Sequence, residues 1–248
     1  MSNLPKEICT VIEDNGLPVS VVEGLRDRLV VGEDFDAANL ISGVLRKPSQ
    51  EDVARIPEDS GHLRTLKEAG ENALRAGGAG LLILNGGMAT RFGGSVKGAV
   101  EVADGMSFLG FKLRDALRVA AHADSPPPIV ILMNSIATSG PTKAHLEAND
   151  YFGYPQDRIW MMNQCWSVRF NPDGSVALGV DGRPSYYGPG HGDVVHCLRA
   201  SGLLHRFMEQ GGRRLLLSNV DNIVASLDPV LLGMHCGMDE NILVEVVD

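Results

Sequence analysis

No Cys-x-x-Cys pair occurs among the four cysteines, Cys9, Cys165, Cys197 and Cys236, which stand far apart along the chain. That spacing indicates neither a zinc knuckle nor a disulfide framework, and all four read as reduced thiols. Net positive charge is missing too: 22 lysines and arginines face 31 aspartates and glutamates, giving −9. A broad polyanion such as DNA or RNA is thereby disfavoured, whereas a small phosphorylated ligand needs only a local pair of cations. No apolar run is long enough to span a bilayer, and Met1 to Pro18 holds acidic residues in place of a signal peptide's apolar centre. Cytoplasm is the expected compartment.

What is present is an ordinary globular composition, 44% hydrophobic over 248 residues, enough for one large core or two small ones. It is organised around Leu81-Leu82-Ile83-Leu84-Asn85-Gly86-Gly87-Met88-Ala89-Thr90-Arg91-Phe92-Gly93-Gly94-Ser95-Val96-Lys97-Gly98. A short apolar run reads as a buried strand that empties into a glycine-dense loop carrying Arg91 and Lys97. Glycines let consecutive amides converge on an anion, and the two cations would supply full charges to a phosphate ester. Glycine-rich turns also serve merely to turn the chain, so from these residues alone both readings stand. Two phosphate-loop patterns are excluded by counting. Five residues separate Gly87 from Gly93 with no Lys-Ser or Lys-Thr following, which is not the nucleotide-hydrolase loop. Gly86-Gly87-Met88-Ala89 likewise lacks the glycine–any–glycine opening of a dinucleotide fold.

Residues 1–78 read as a helical N-terminal segment: charged residues are frequent, and Leu63, Leu66, Ala69, Ala73 and Leu74 share one helix face that stops at Gly77-Gly78. Pro5, Pro18, Pro48 and Pro57 divide it into three or four short helices, a cap for the main domain. Residues 79–248 alternate β-rich runs with helical patterns, the signature of a mainly parallel sheet. Strands are expected near Leu81–Leu84, Ile129–Met133, Ile159–Met162, Arg214–Leu217 and Ile242–Val246. Ser107 caps a helix with an apolar stripe of Leu109, Leu113, Ala116, Leu117 and Ala120. Thr142 to Asp150 reads as another helix, and Asn171-Pro172-Asp173-Gly174 as a hairpin turn.

Ligands of open α/β sheets sit beyond the carboxyl ends of the strands. Besides the glycine loop, three stretches follow expected strands or open helices. Asn163-Gln164 carries amides suited to the edge of a base, or simply to satisfying strand-end backbone. Tyr187-Gly188-Pro189-Gly190-His191-Gly192-Asp193 brings bare backbone close to something before the helix Val194–Ala200; His191 and His196 lack the i, i+4 spacing of paired zinc ligands. Ser218-Asn219-Val220-Asp221-Asn222 offers a carboxylate for Mg²⁺ or, equally, a turn in which Asp221 satisfies local amides.

These four pieces, in this order, resemble the motifs of the UDP-sugar pyrophosphorylase family over about Gly80 to Asp248, and Gly190-His191-Gly192-Asp193 leans toward its glucose-using members. The resemblance implies a Rossmann-like sheet of the glycosyltransferase-A type with helices on both faces, preceded by the helical segment. It further implies Mg²⁺-dependent attack of a sugar 1-phosphate on the α-phosphorus of UTP, releasing pyrophosphate. Carried over by position, Leu84, Asn85, Gly86 and Gly87 would line the nucleotide with Asn219, and Gln164 with Gly190 would read uracil. Lys97 would contact phosphate, His191 the sugar phosphate, and Asp221 the metal; Arg91 is assigned to the leaving phosphates. The alternatives are a UTP- or UDP-sugar-binding module without catalysis, and an enzyme for N-acetylglucosamine 1-phosphate. Two departures from the family pattern stand out. Ala89 replaces a usual glycine, which would strain the loop if that position needed a positive φ. The chain also stops after the expected strand Ile242–Val246, where the family continues, and so reads as the nucleotide-binding part of a longer enzyme.

Overall fold

The computed structural model describes residues 4–89, 95–239 and 241–246. Contacts divide the chain into two compact units. One comprises Met1–Arg55 and Gln164–Asp193, the other Ile56–Asn163 and Val194–Asp248. The boundary expected at residue 78 therefore does not separate them, because the helix before it groups with the sheet.

In the first unit, α1 (Lys6–Asp14), α2 (Val19–Val30) and the single turn α3 (Phe35–Ala38) follow one another between prolines and glycines. Leu4, Ile8, Ile12 and Val22 pack with Val168 in a small apolar core. The hairpin expected at Asn171 is present as a set of antiparallel pairings: Ser167 and Val168 with Tyr187 and Tyr186, Phe170 with Val176, and Leu178 with Pro184. Asn171 donates its amide to the Ser175 carbonyl at 2.8 Å and closes the turn.

The second unit is built on four parallel strands, β1 (Ala79–Leu84), β2 (Ile129–Asn134), β3 (Ile159–Asn163) and β4 (Arg214–Asn219). Their order in the sheet is β4-β1-β2-β3. Flanking helices are α4 (Ser60–Arg75), α5 (Phe108–Ala123), α6 (Ile136–Ala148), α7 (Val194–Ala200), α8 (Leu203–Glu209) and α9 (Pro229–Cys236). β1 and β2 are buried along nearly their whole length, which explains their unbroken apolar runs. Leu81, Ile83, Val130 and Leu132 form the centre of the core with Leu109, Leu113 and Ala116 of α5. α4 starts on the Asp59 side chain, which accepts from the His62 amide, and ends at Gly77 with φ +68°. It crosses α9 backbone to backbone: a Cβ on Gly70 would lie 1.9 Å from the Pro229 carbonyl oxygen, and one on Gly233 1.9 Å from that of Leu66.

Two expected elements differ. α6 begins at Ile136 rather than Thr142, because the Ser135 amide donates to the Thr138 hydroxyl at 2.8 Å and sets the start; Pro141 lies inside the helix at the cost of one hydrogen bond. Residues 242–246 form no strand, and Ile242, Val244 and Val246 are 69 to 77% exposed. Alternating apolar residues favour a strand only where a neighbour supplies the ladder, and among the described residues none pairs with them. Among the described residues no helix is long and apolar enough to cross a membrane.

The path of the chain matters for function. It runs outward from β1 through β2 to β3, then returns to add β4 on the other side of β1. The order reverses between β1 and β4, and at such a switch point the loops beyond the strands part to leave a crevice.

Candidate functional site

The glycine-rich loop after β1 and the Asp221 loop after β4 both leave that switch point. Leu84, the last residue of β1, is in register with Asn219, the last of β4. Beyond them Val220 donates its amide to the Leu84 carbonyl at 3.1 Å, holding the two exits side by side. After β1 the chain passes Asn85, Gly86 and Gly87, and the Lys97 amide closes the loop on the Gly87 carbonyl at 3.1 Å. Met88 and Ala89 pair antiparallel with Val96 and Ser95. Ala89 thus has an extended backbone that any residue adopts, and the strain expected there does not arise. Arg91 lies outside the described residues.

Lys97 and Asp221, 124 residues apart in sequence, meet here: Nζ stands 3.0 Å from Oδ2, with both side chains a little over one-third exposed. Asn219 is exposed beside them, and Gly86 and Gly87 are half-buried. Asn85 departs from its expected place against a nucleotide. It has no exposed surface, and its Nδ2 donates to Asn134 Oδ1 at 2.8 Å and Thr142 Oγ1 at 2.9 Å. A buried amide needs such partners, so Asn85 supports the loop from beneath. Gly98 completes this floor, since a Cβ there would sit 2.2 Å from Asn85 Oδ1 and 3.3 Å from Val220 Cγ2.

Sequence reasoning missed Lys112. It is 2% exposed, and its Nζ donates to Ser218 Oγ at 3.0 Å and the Ala225 carbonyl at 2.7 Å. The available signal was its position: three residues after Leu109 and four before Ala116, it falls on the buried stripe of α5. Burial lowers its pKa to about 8 from an ordinary 10.5, with the charges of Asp115 and Asp221 opposing the shift. Below pH 8 the lysine is charged in folded and unfolded chains alike and carries its burial cost. Between about 8 and 10.5 the folded chain releases the proton first, so the unfolded chain holds more protons and stability rises with pH. The urea midpoint of the natural chain should therefore gain on that of Lys112→Met between pH 7.5 and 9.5. The slope is at most about 1.4 kcal/mol per pH unit, and a constant difference would contradict the burial.

The remaining candidates belong to the first unit. Gln164 is half-buried and its side chain lies against Gly188: a Cβ at Gly188 would stand 1.5 Å from Nε2 and 2.5 Å from Cδ. The close approach expected of this glycine cluster is therefore to Gln164. Gly190 has φ +127°, where side chains are strained, and hands the chain to an exposed His191 in a single 3₁₀ turn over His191–Asp193.

The parallel sheet, its switch point and the loops leaving it place the chain among the open α/β proteins. Within that class it belongs to the UTP–glucose-1-phosphate uridylyltransferase family, whose model matches residues 45–248. The enzyme of that name from Saccharomyces cerevisiae is 29% identical over 196 residues, covering 77% of this chain and 38% of the relative. A probable UTP–glucose-1-phosphate uridylyltransferase from Schizosaccharomyces pombe is 34% identical over 180 residues, covering 71% and 34%. Among solved structures, a UDP-N-acetylglucosamine pyrophosphorylase from Trypanosoma brucei superposes with a TM-score of 0.71 at 20% identity, covering 95% of this chain and 50% of the other. A UDP-glucose pyrophosphorylase from Leishmania major, in complex with UDP-glucose, gives 0.64 at 24%, covering 94% and 47%. These two likenesses establish the fold. The chain spans about a third of the length of the curated relatives it matches.

Proposed function

We propose that this chain carries the nucleotide-binding part of a Mg²⁺-dependent uridylyltransferase that joins UTP and a hexose 1-phosphate, glucose 1-phosphate foremost, into a UDP-sugar and pyrophosphate. The observation that supports it most is the meeting of Lys97 and Asp221 at 3.0 Å beside a glycine-rich loop at the switch point. Family membership and the Leishmania relative's UDP-glucose complex point the same way.

The donor set suits the metal. Mg²⁺ takes one or two protein carboxylates and fills its remaining positions with water and phosphate oxygens. Asp221 offers one accessible carboxylate, and among the described residues no trio of His, Cys, Asp or Glu ligand atoms includes it. Bound there, Mg²⁺ would neutralise charge on the phosphates. In this reading Lys97 turns from Asp221 to the phosphates, and Gly86 and Gly87 let the nucleotide approach the loop backbone. Asn219 lies alongside the nucleotide, Gln164 and Gly190 read uracil, and His191 meets the sugar phosphate. Arg91 attends the leaving β,γ-phosphates. The attacking phosphate is already an anion, so the protein supplies no general base. Its task is to bring two anions together and stabilise the charge that grows on pyrophosphate.

The test is pyrophosphate release from UTP, glucose 1-phosphate and Mg²⁺. Release at a rate above the uncatalysed mixture is expected. Uptake of UTP without release would favour a binding module, and no uptake would overturn the reading altogether. A sharper expectation concerns Gly188→Ala. The new methyl must displace the whole Gln164 side chain, a flexible group that can move without unfolding the chain. Preference for UTP over CTP should fall about tenfold, the value of one lost specific hydrogen bond, while the melting temperature changes little. Unchanged preference would remove Gln164 from base recognition.

A further inference from the structure

α5 touches the chain on both sides of Asp221. On the next-to-last residue of β4, Lys112 Nζ reaches Ser218 Oγ at 3.0 Å; beyond Asp221, the same atom reaches the Ala225 carbonyl at 2.7 Å and so ties that end of the loop to the strand. One turn along the helix, Asp115 Oδ2 accepts from Ser226 Oγ at 2.5 Å. Residues 218 and 225–226 are thus tied to two side chains of one rigid helix, with Asp221 between them. A buried ammonium is an expensive way to fill space, since an apolar side chain of similar volume carries no desolvation cost. Among the described residues, neither hydrogen-bond partner of Nζ is a carboxylate. What the ammonium gains is reach: one atom with several donors bridges two points of the chain that are seven residues apart.

From this geometry we infer that Lys112 and Asp115 are positioning residues for Asp221, holding the 218–226 loop so that its carboxylate stands at the metal position opposite Lys97. The inference rests on the reading that Asp221 holds the metal. A loop fixed at both ends presents its carboxylate without first being ordered, which favours the metal-bound state over one that must be organised on binding. Neither side chain is assigned a contact with nucleotide, sugar or metal.

The experiment is titration of the full chain with UTP, with and without Mg²⁺, on Lys112→Met, Asp221→Asn and the double variant, with Asp115→Asn as a second probe. Lys112→Met fills the same space, and a thermal melt of the variant checks that it folds. Each single clamp variant is expected to lower UTP affinity in Mg²⁺ about tenfold, as loss of a metal site's outer partner does, with far less change in EDTA. Added to Asp221→Asn, Lys112→Met should cost nothing further, because its effect acts through that carboxylate. Equal losses with and without Mg²⁺, or additive losses in the double variant, would overturn the inference and leave Lys112 a purely structural group. If Asp221→Asn keeps the natural Mg²⁺ response, the metal assignment fails and the inference with it. If Asp221→Asn loses that response and Lys112→Met does not, only the inference fails.

Discussion

Asp221→Asn should abolish the strengthening of UTP binding by Mg²⁺ and leave metal-free binding intact. In the proposed site this carboxylate is the protein oxygen that the metal would take, and asparagine keeps its shape while removing its charge. Loss of an outer partner costs a metal site 10- to 100-fold, so loss of a direct ligand should cost about 100-fold or more in Mg²⁺. The metal-free arm gives the less obvious result. Lys97 stands 3.0 Å from Asp221 and must leave it to meet a phosphate. A partly exposed pair of this kind contributes only about 0 to 1 kcal/mol, so freeing Lys97 should leave the variant binding UTP in EDTA no worse than the natural chain does. Calorimetric titration of both proteins checks the two arms together. A variant with undiminished Mg²⁺ dependence would place the metal elsewhere.

Gly98→Ala should destabilise the whole second unit by about 2 to 3 kcal/mol, through overpacking and broken buried hydrogen bonds. Its methyl would be forced to within 2.2 Å of Asn85 Oδ1 and 3.2 Å of Cγ. Asn85 cannot retreat cheaply, because it is wholly buried and donates to Asn134 and Thr142. Val220, on the far side at 3.3 Å, is buried and bonded to Leu84. For a chain of this size the change corresponds to a melting temperature lower by roughly 5 to 10 °C. Because Gly98 adjoins Lys97, and Val220 adjoins Asp221, UTP affinity should fall as well. A melting curve within a degree of the natural one would contradict the buried floor beneath the loop.

The central strands were legible because β1 and β2 are buried on both sides and leave unbroken apolar runs such as Leu81–Leu84 and Ile129–Met133. Ser107 announced α5 through its own chemistry, accepting the Gly110 amide at 3.1 Å. Residues 242–246 are also rich in β-branched apolar residues yet form no strand, because sheet propensity is realised only beside a partner. The helix expected from Thr142 begins earlier, at Ile136, because the Ser135 cap sets its start and Pro141 is accommodated inside it. Within the site, the glycine loop, Lys97 and Asp221 could be named from the order of motifs, but their meeting depends on β4 returning beside β1. That is a long-range pairing no local pattern encodes. The burial of Asn85 could not be read from the sequence, because an asparagine at a strand end suits a ligand and a buried network equally well. Lys112 went unseen because a lysine on a helix is ordinarily solvated, and only its place on the apolar stripe marked it as buried. The grouping of residues 164–193 with the N-terminal helices depends on contacts between distant parts of the chain, which composition does not reveal.

The central claim is that the loops leaving β1 and β4 form a site for UTP with Mg²⁺. Calorimetric titration of the chain with UTP tests it most directly, performed with Mg²⁺, with EDTA, and again with ATP in place of UTP. The expected result is one UTP bound per chain, more tightly with Mg²⁺ than with EDTA, and ATP more weakly than either. Absence of UTP binding, or binding indifferent to both Mg²⁺ and the base, would contradict it.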